Sequence, residues 1–248
     1  MLLFAAAAAF PEAPDALPQA GISSTQIVAL IEQHNTTQSQ QIKHYQALRH
    51  YRVEYSGYAT RIAAGMDVEV TFDVASGKTF RIVSQSGSKL LCDKVLKRAV
   101  DSEKEASEEK GSTALSIKNY QFQLVGTELV AGRLTYILKV DPIADSKFLY
   151  RGKVWVDAAD YAVVKIEAEP AKNPSFWISK TVIAHNNVKI DGAWLPQKNR
   201  SESRIRVGGT AVLTIDYGTY HIAVEPPLAT AAARVHIPTT AKAGASGQ

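Results

Sequence analysis

Cysteine is nearly absent: Cys92 is the single one in 248 residues, so neither an internal disulfide nor a thiolate-rich metal site can form. Histidine offers no substitute. His34, His44, His50, His185, His221 and His236 contain no H-x-x-x-H or H-E-x-x-H pair, which removes the common zinc spacings. No metal and no other cofactor is expected. Glycine and proline number 15 and 10, too few for a collagenous or low-complexity chain. Charge of one sign is also scarce. The formal net charge of +4 does not supply the concentrated basic face that nucleic acid needs, so no nucleic-acid partner is expected. The one long apolar run, Leu2 to Phe10, is shorter than the roughly 20 residues of a membrane span. Membrane contact is therefore expected to be peripheral at most.

Catalytic signatures are missing as well. No G-x-S-x-G elbow accompanies the many serines, and no nucleophile-base pair stands out. Gly77-Lys78-Thr79 ends like a phosphate loop, but Phe72 occupies the position where the pattern needs its first glycine, and the context is a hairpin. Glu167 and Glu169 fall on one strand face with Lys165 and read as a solvated row rather than an acid/base pair. An enzyme is not expected.

What is present is ordinary core material, 46% apolar against 21% charged, enough for a substantial interior. Residues 1–21 read as a signal-like segment and linker. Met-Leu-Leu-Phe followed by Ala5 to Ala9 has the apolar and small-residue character of a secretory signal, with Ala7-Ala8-Ala9 as the cleavage site and a Pro-rich linker behind it. No cysteine follows at the position of a lipid anchor, so the expectation is an exported or periplasmic protein. Residues 22–225 form the folded domain, and the Ala-, Thr- and Gly-rich stretch 226–248 reads as a disordered tail.

Within the domain, Ser23 with Gln26 three residues on forms a capping box. The spacing of Ile27, Leu30, Ile31 and His34, then Ile42, Tyr45 and Leu48, predicts a helix reaching Leu48 and carrying His34 and His44. A second helix is predicted over Lys89 to about Glu108, with Leu91, Cys92, Val95, Leu96, Ala99 and Val100 as its apolar stripe. Everywhere else the apolar period is two. The alternating runs are separated by turns such as Asp157-Ala-Ala-Asp160 and Asp191-Gly192, and one strand is predicted over Leu213 to Ile222. The fold class is α+β, mainly β: about 10–11 antiparallel strands. Ten strands at about 4.8 Å span roughly 45 Å, too wide for two helices of roughly 10 Å each to cover while the sheet is flat. A strongly curved antiparallel sheet follows, a half-open barrel with a helical lid.

Charge is uneven along the chain. From Tyr150 to Arg206 there are ten Lys/Arg against six Asp/Glu. Lys198, Arg200, Arg204 and Arg206, interrupted by Glu202, share one strand face. That pattern fits an edge strand kept soluble by charge, or a surface for an acidic partner or anionic headgroups. On the apolar side, Tyr51, Val53, Tyr55, Val68, Val70, Phe72, Phe80, Phe122 and Leu138 fall at inward positions of their strands, and Leu91 and Val95 lie on the stripe of the second helix. These are the candidate lining of a ligand cavity, or a plain packed core, which is the reading that alternation alone favours.

Gly152-Lys-Val-Trp-Val-Asp157, Tyr161-Ala-Val-Val-Lys-Ile-Glu167, Gly192-Ala-Trp-Leu-Pro196 and Ile215-Asp-Tyr217 resemble the outer-membrane lipoprotein-sorting protein family, which includes the periplasmic lipoprotein carrier and related lipid-binding proteins. The resemblance extends over Ile22 to Ile222 in the order of helices and strands. It implies a half-open barrel with a helical lid that holds lipid or lipoprotein acyl chains, or another apolar ligand, in its concavity. The function so implied is that of a periplasmic binding or carrier protein in lipoprotein sorting to the outer membrane. The alternative is an envelope-stress sensor or protein-interaction module with a packed core, whose partners are envelope proteins.

Overall fold

The computed structural model describes residues 21–58, 60–173 and 175–224. The signal-like segment and most of the linker, and the tail expected from residue 226, lie outside them. The chain opens with helix α1 (Ser24–Gln41) and a three-stranded meander, β1 (Ile42–Gly57), β2 (Thr60–Asp73) and β3 (Gly77–Gly87). A helical stretch follows: α2 (Lys89–Leu91), a π-helical segment (Cys92–Leu96), α3 (Lys97–Glu108) and α4 (Lys110–Thr113). The remainder is strand: β4 (Tyr120–Val130), β5 (Arg133–Pro142), β6 (Tyr150–Asp157), β7 (Val163–Pro170), β8 (Ile178–Ile190), β9 (Ala193–Ile205), β10 (Thr210–Asp216) and β11 (Tyr220–Val224).

All eleven strands join one antiparallel sheet in the order β3-β2-β1-β10-β9-β8-β7-β6-β5-β4, with β11 also pairing β1. The sheet is curved and does not close, a half-open barrel. Its free edges, β3 and β4, are consecutive in sequence. The helical stretch that connects them must therefore pass from one edge of the sheet to the other.

The capping box starts α1 as its sequence predicts. The Ser23 N–H donates to Gln26 Oε1 at 2.8 Å and the Gln26 N–H to Ser23 Oγ at 3.2 Å. The helix does not reach Leu48, however; it ends at Gln41, and His44 lies on β1. A register shift between Ile42 and His44 explains the difference. The extra residue lets Ile42 and Tyr45, an odd number apart, both face inward, which imitates helical spacing. Beyond the bulge the period is strictly two. Ala47, Arg49, Tyr51 and Val53 are buried, and the residues between them are exposed.

The strand predicted over Leu213 to Ile222 is two strands on the same side of β1: β10 pairs with Ser56 to His50, and β11 with Ala47 to Ile42. The chain steps between them at Gly218, whose φ is +25° and where a Cβ would lie 2.2 Å from the Leu48 carbonyl oxygen. Only glycine permits that approach. The Asp191-Gly192 pair does form a hairpin, with φ values of +48° and +84°. The basic row Lys198, Arg200 and Arg204 is exposed as its parity implies, but β9 is not an edge strand: β10 and β8 flank it. Its charges stand on the solvent face of an interior strand.

The concave face carries two main apolar cores. α1 contributes Ile27, Val28 and Ile31 to one, against Tyr120, Tyr136, Leu138, Val140, Val154 and Val156 of β4 to β6. Leu91, Cys92, Leu96 and Val100 of the strap between β3 and β4 enter the other, against β1, β2, β10 and β11. Ala162, Val164 and Trp194 form a third, smaller cluster. Gln38 anchors the end of α1 there: its Nε2 donates to the Trp194 carbonyl at 2.9 Å, and the Trp194 N–H donates to its Oε1 at 2.7 Å.

Candidate functional site

The candidate site is the half of the concave face beneath the strap. Alternation on β1 and β2 turns Tyr51, Val53, Val68 and Val70 inward, all essentially without solvent exposure. Tyr55, Phe72, Phe80 and Val95 pack against them partly buried, and Leu91 completes the group from the strap. Phe122 and Leu138 are elsewhere, in the core under α1. The sequence residues thus fall into two groups, nine beneath the strap and two under α1. Periodicity assigns each to the inner face but cannot place strands next to one another, and β2 and β5 lie far apart in the sheet order.

Cys92 is buried between Leu91 and the rest of the stripe, its Sγ 3.6 Å from the Ser86 carbonyl oxygen. The helix widens to π geometry over Cys92–Leu96, with Cys92 and Leu96 as its buried residues. Asp93 on the opposite side takes ion pairs from Lys89 (3.3 Å) and Lys97 (2.7 Å), so the strap presents one apolar and one charged face.

A polar centre sits inside this apolar shell. Arg49, only 1% exposed, forms an ion pair with Glu103 of α3. The Tyr51 hydroxyl donates to the other Glu103 oxygen at 3.2 Å, and Lys78 Nζ stands 3.8 Å from the oxygen that Arg49 meets. The Arg49 guanidinium lies over the Tyr217 ring at 4.6 Å from its centroid and over Phe80 at 5.9 Å, positions in which the ring quadrupole attracts the cation. Its Nε is buried and has no hydrogen-bond partner among the described residues. Burial opposes the charge on Arg49, but Glu103 more than offsets this and holds its pKa above the ordinary value. Desolvation pushes Tyr45 up to about 12, and Tyr51, Tyr217 and Tyr220 rise for the same first reason. These phenols remain neutral donors at any physiological pH. His185, whose ring meets Tyr217 edge-on at 6.3 Å, has its pKa lowered by burial.

Arg49, Glu103, Tyr217 and His185 were not among the candidates read from the sequence. Arg49 did leave a signal: a cation at an inward position of an alternating strand must have a partner there. Glu103, three residues past Val100, continues the apolar stripe by helical spacing. The opposite, outer face has a different character. A hollow of about 550 Å³ there is bordered by His50, Arg52, Glu54, Asp67, Lys198 and Asp216 among others. His50 and Ser84 both bond Asp67 at 2.7 Å, and this polar trough does not suit an acyl chain. Among the described residues no group of three or more His, Cys, Asp or Glu side chains can hold a metal ion, and no helix is long and apolar enough to cross a membrane.

No protein-family model matches the sequence, and no curated protein does. Solved structures similar to this chain include a LolA superfamily protein from Nitrosomonas europaea, with a TM-score of 0.38 and 13% identity over 83% of this chain and 96% of that one. A putative outer membrane lipoprotein-sorting protein domain from Vibrio parahaemolyticus gives 0.39 and 10% identity over 77% and 90%. A DUF1329 family protein from Desulfovibrio piger gives 0.39 and 12% over 79% and 91%. The group that the C-terminal hairpins resemble in sequence is thus represented among the similar structures.

Proposed function

We propose that this protein is a non-enzymatic binding or carrier protein of the bacterial envelope, one that holds an acyl chain or another apolar ligand on the concave face beneath the strap. The observation that carries this reading is the course of residues 88–119. They connect the two free edges β3 and β4 across the open side of the sheet, and their apolar stripe fills the concavity in place of a second sheet. Such a cover is attached at its ends and packed through one face. Lifting it exposes Val53, Val68, Val70 and the aromatic residues around them without breaking any strand pairing. An acyl chain then takes over the burial that the stripe provides, at about 25 cal/mol per Å² of apolar area. Competition between stripe and ligand keeps the binding reversible. Such an exchange suits sorting of lipoproteins to the outer membrane, and the signal-like N-terminal segment fits export to the periplasm.

The second reading is an envelope sensor or protein-interaction module, and the closeness of the packing favours it: Tyr51, Val53, Val68 and Val70 are shut off from solvent when the strap is down. Native mass spectrometry of the purified full chain, followed by organic extraction and lipid analysis, separates the two. A carrier arrives with acyl lipid bound or takes up a fluorescent fatty acid stoichiometrically. Absence of both supports the packed module.

A further inference from the structure

We propose that the end of the half-barrel bearing Tyr58, Phe176, Trp177 and Val207 is a docking surface for an anionic lipid bilayer. Three connections meet there. Pairing of Gly57 with Thr60 makes the β1–β2 turn, pairing of Ser56 with Thr210 sets the β9–β10 turn beside it, and pairing of Ile178 with Ile205 adds the β7–β8 loop. Their apolar side chains project outward: Tyr58 is 97% exposed, Phe176 76%, Val207 65% and Trp177 58%. Scattered exposed apolar residues are ordinary, but four on adjoining turns make a patch that needs a partner.

Two of the three connections are tied by hydrogen bonds among the described residues. The Arg206 N–H donates to the Trp177 carbonyl at 2.8 Å, and Arg206 Nε to the Phe176 carbonyl at 2.6 Å. The Arg206 guanidinium lies 5.3 Å from the centre of the Phe176 ring, which meets Trp177 edge-on at 5.5 Å. The Tyr55 hydroxyl ties the neighbouring turn through the Gly208 carbonyl at 3.0 Å. The Phe176 and Trp177 rings are therefore presented on a braced platform.

Charge decides the occupant. Segments 56–61, 171–179 and 203–210 carry Arg61, Lys172, Arg204 and Arg206 and no acidic residue. Arg61, Lys172 and Arg204 are exposed and have no ion pair among the described residues. Tyr and Trp among basic side chains, on projecting tips rather than in a groove, match the interfacial layer of a membrane: rings at headgroup depth, cations on phosphate. This surface stands apart from whatever the concave face holds.

Trp177 supplies the test. The chain has three tryptophans, and Trp155 and Trp194 are buried, so a change in emission on membrane contact reports position 177. The full chain is mixed with phosphatidylglycerol vesicles or phosphatidylcholine vesicles and followed by co-sedimentation and tryptophan emission. The expected result is salt-sensitive binding to the anionic vesicles with a blue shift, and weak binding to the neutral ones. Each cation near an anionic surface contributes about fivefold, so Arg61→Gln with Arg204→Gln weakens binding about 25-fold. Trp177→Phe keeps sedimentation but loses the shift, and Tyr58→Ser with Phe176→Ser weakens binding at least tenfold at unchanged melting temperature. Failure to bind phosphatidylglycerol overturns the proposal and leaves a protein partner for the patch. Binding without a shift also overturns it, since contact then lies elsewhere on the chain, as does equal affinity for both vesicle types.

Discussion

Arg49 and Glu103 are the residues on which the covered state depends most sharply. A guanidinium shut away from water is tolerable because a carboxylate and an aromatic face meet it; removing the carboxylate strands the charge. Glu103→Gln is therefore expected to cost about 2–4 kcal/mol, the upper part of the range being trimmed because Glu103 itself is 23% exposed. Arg49→Met replaces the cation with an apolar chain and is expected to cost less, and the double variant less than the sum of the two. Urea unfolding of the four proteins measures the cycle. Two histidines contribute to the loss of stability on mild acidification. Burial depresses the pKa of His185, opposed by its bond to Asn187 and by Glu103. Burial likewise depresses His34, with Asp160, Gln38 and Asp157 opposing and Lys189 assisting. In the unfolded chain both titrate near 6.5, so below that pH the unfolded state binds more protons and stability falls until the folded pKa values are passed. The urea midpoint should drop between pH 7 and pH 5, and His185→Gln with His34→Gln should flatten that slope. An unchanged slope would show that other groups dominate.

At the level of elements, local chemistry was readable and partnership was not. Ser23 and Gln26 announce the start of α1, Asp191 and Gly192 announce their hairpin, and the stripe from Leu91 to Val100 announces the strap. The bulge near Ile42 defeated the periodicity because one extra residue converts a period of two into a spacing of three. The split of β10 from β11 was hidden for a related reason. Ile215, Tyr217 and Tyr220 are all buried, and nothing in their spacing shows that Gly218 must slip past Leu48. Nor does any local pattern reveal that Phe122 and Leu138 join a different core from Val70, because that depends on strand order. The strap and α1 should accordingly respond separately. Leu96→Ala and Leu138→Ala each remove a fully buried leucine and are each expected to cost about 2–5 kcal/mol. In conditions where both variants remain folded, only Leu96→Ala should speed labelling of Cys92 by a thiol reagent, since that sulfur sits on the strap and faces the sheet, and is uncovered when the strap lifts. Equal acceleration in both would mean that the two cores open together.

At the scale of the whole molecule, the proposed function sets the closed strap and an acyl chain in competition for the same surface. Val70 illustrates the conflict: it lies on β2 with no solvent exposure, inside the core that the strap completes. The affinity observed for a ligand is its affinity for the open form reduced by the fraction of molecules that are open. A substitution that weakens the strap without touching the sheet therefore acts twice, lowering stability and tightening ligand binding. Leu96→Ala should do this, melting at a lower temperature yet binding a fluorescent fatty acid more tightly than the parent. Val70→Trp acts on the other partner. With the strap down the indole overpacks the core, at a cost of roughly 1–3 kcal/mol, and with the strap raised it occupies ligand space, so probe affinity falls. Opposite movements of affinity in two variants that are both less stable cannot arise from general loosening of the fold. If the parent and both variants melt early or late without ever taking up the probe, the concave face is a permanent core and the molecule acts through its outer surfaces.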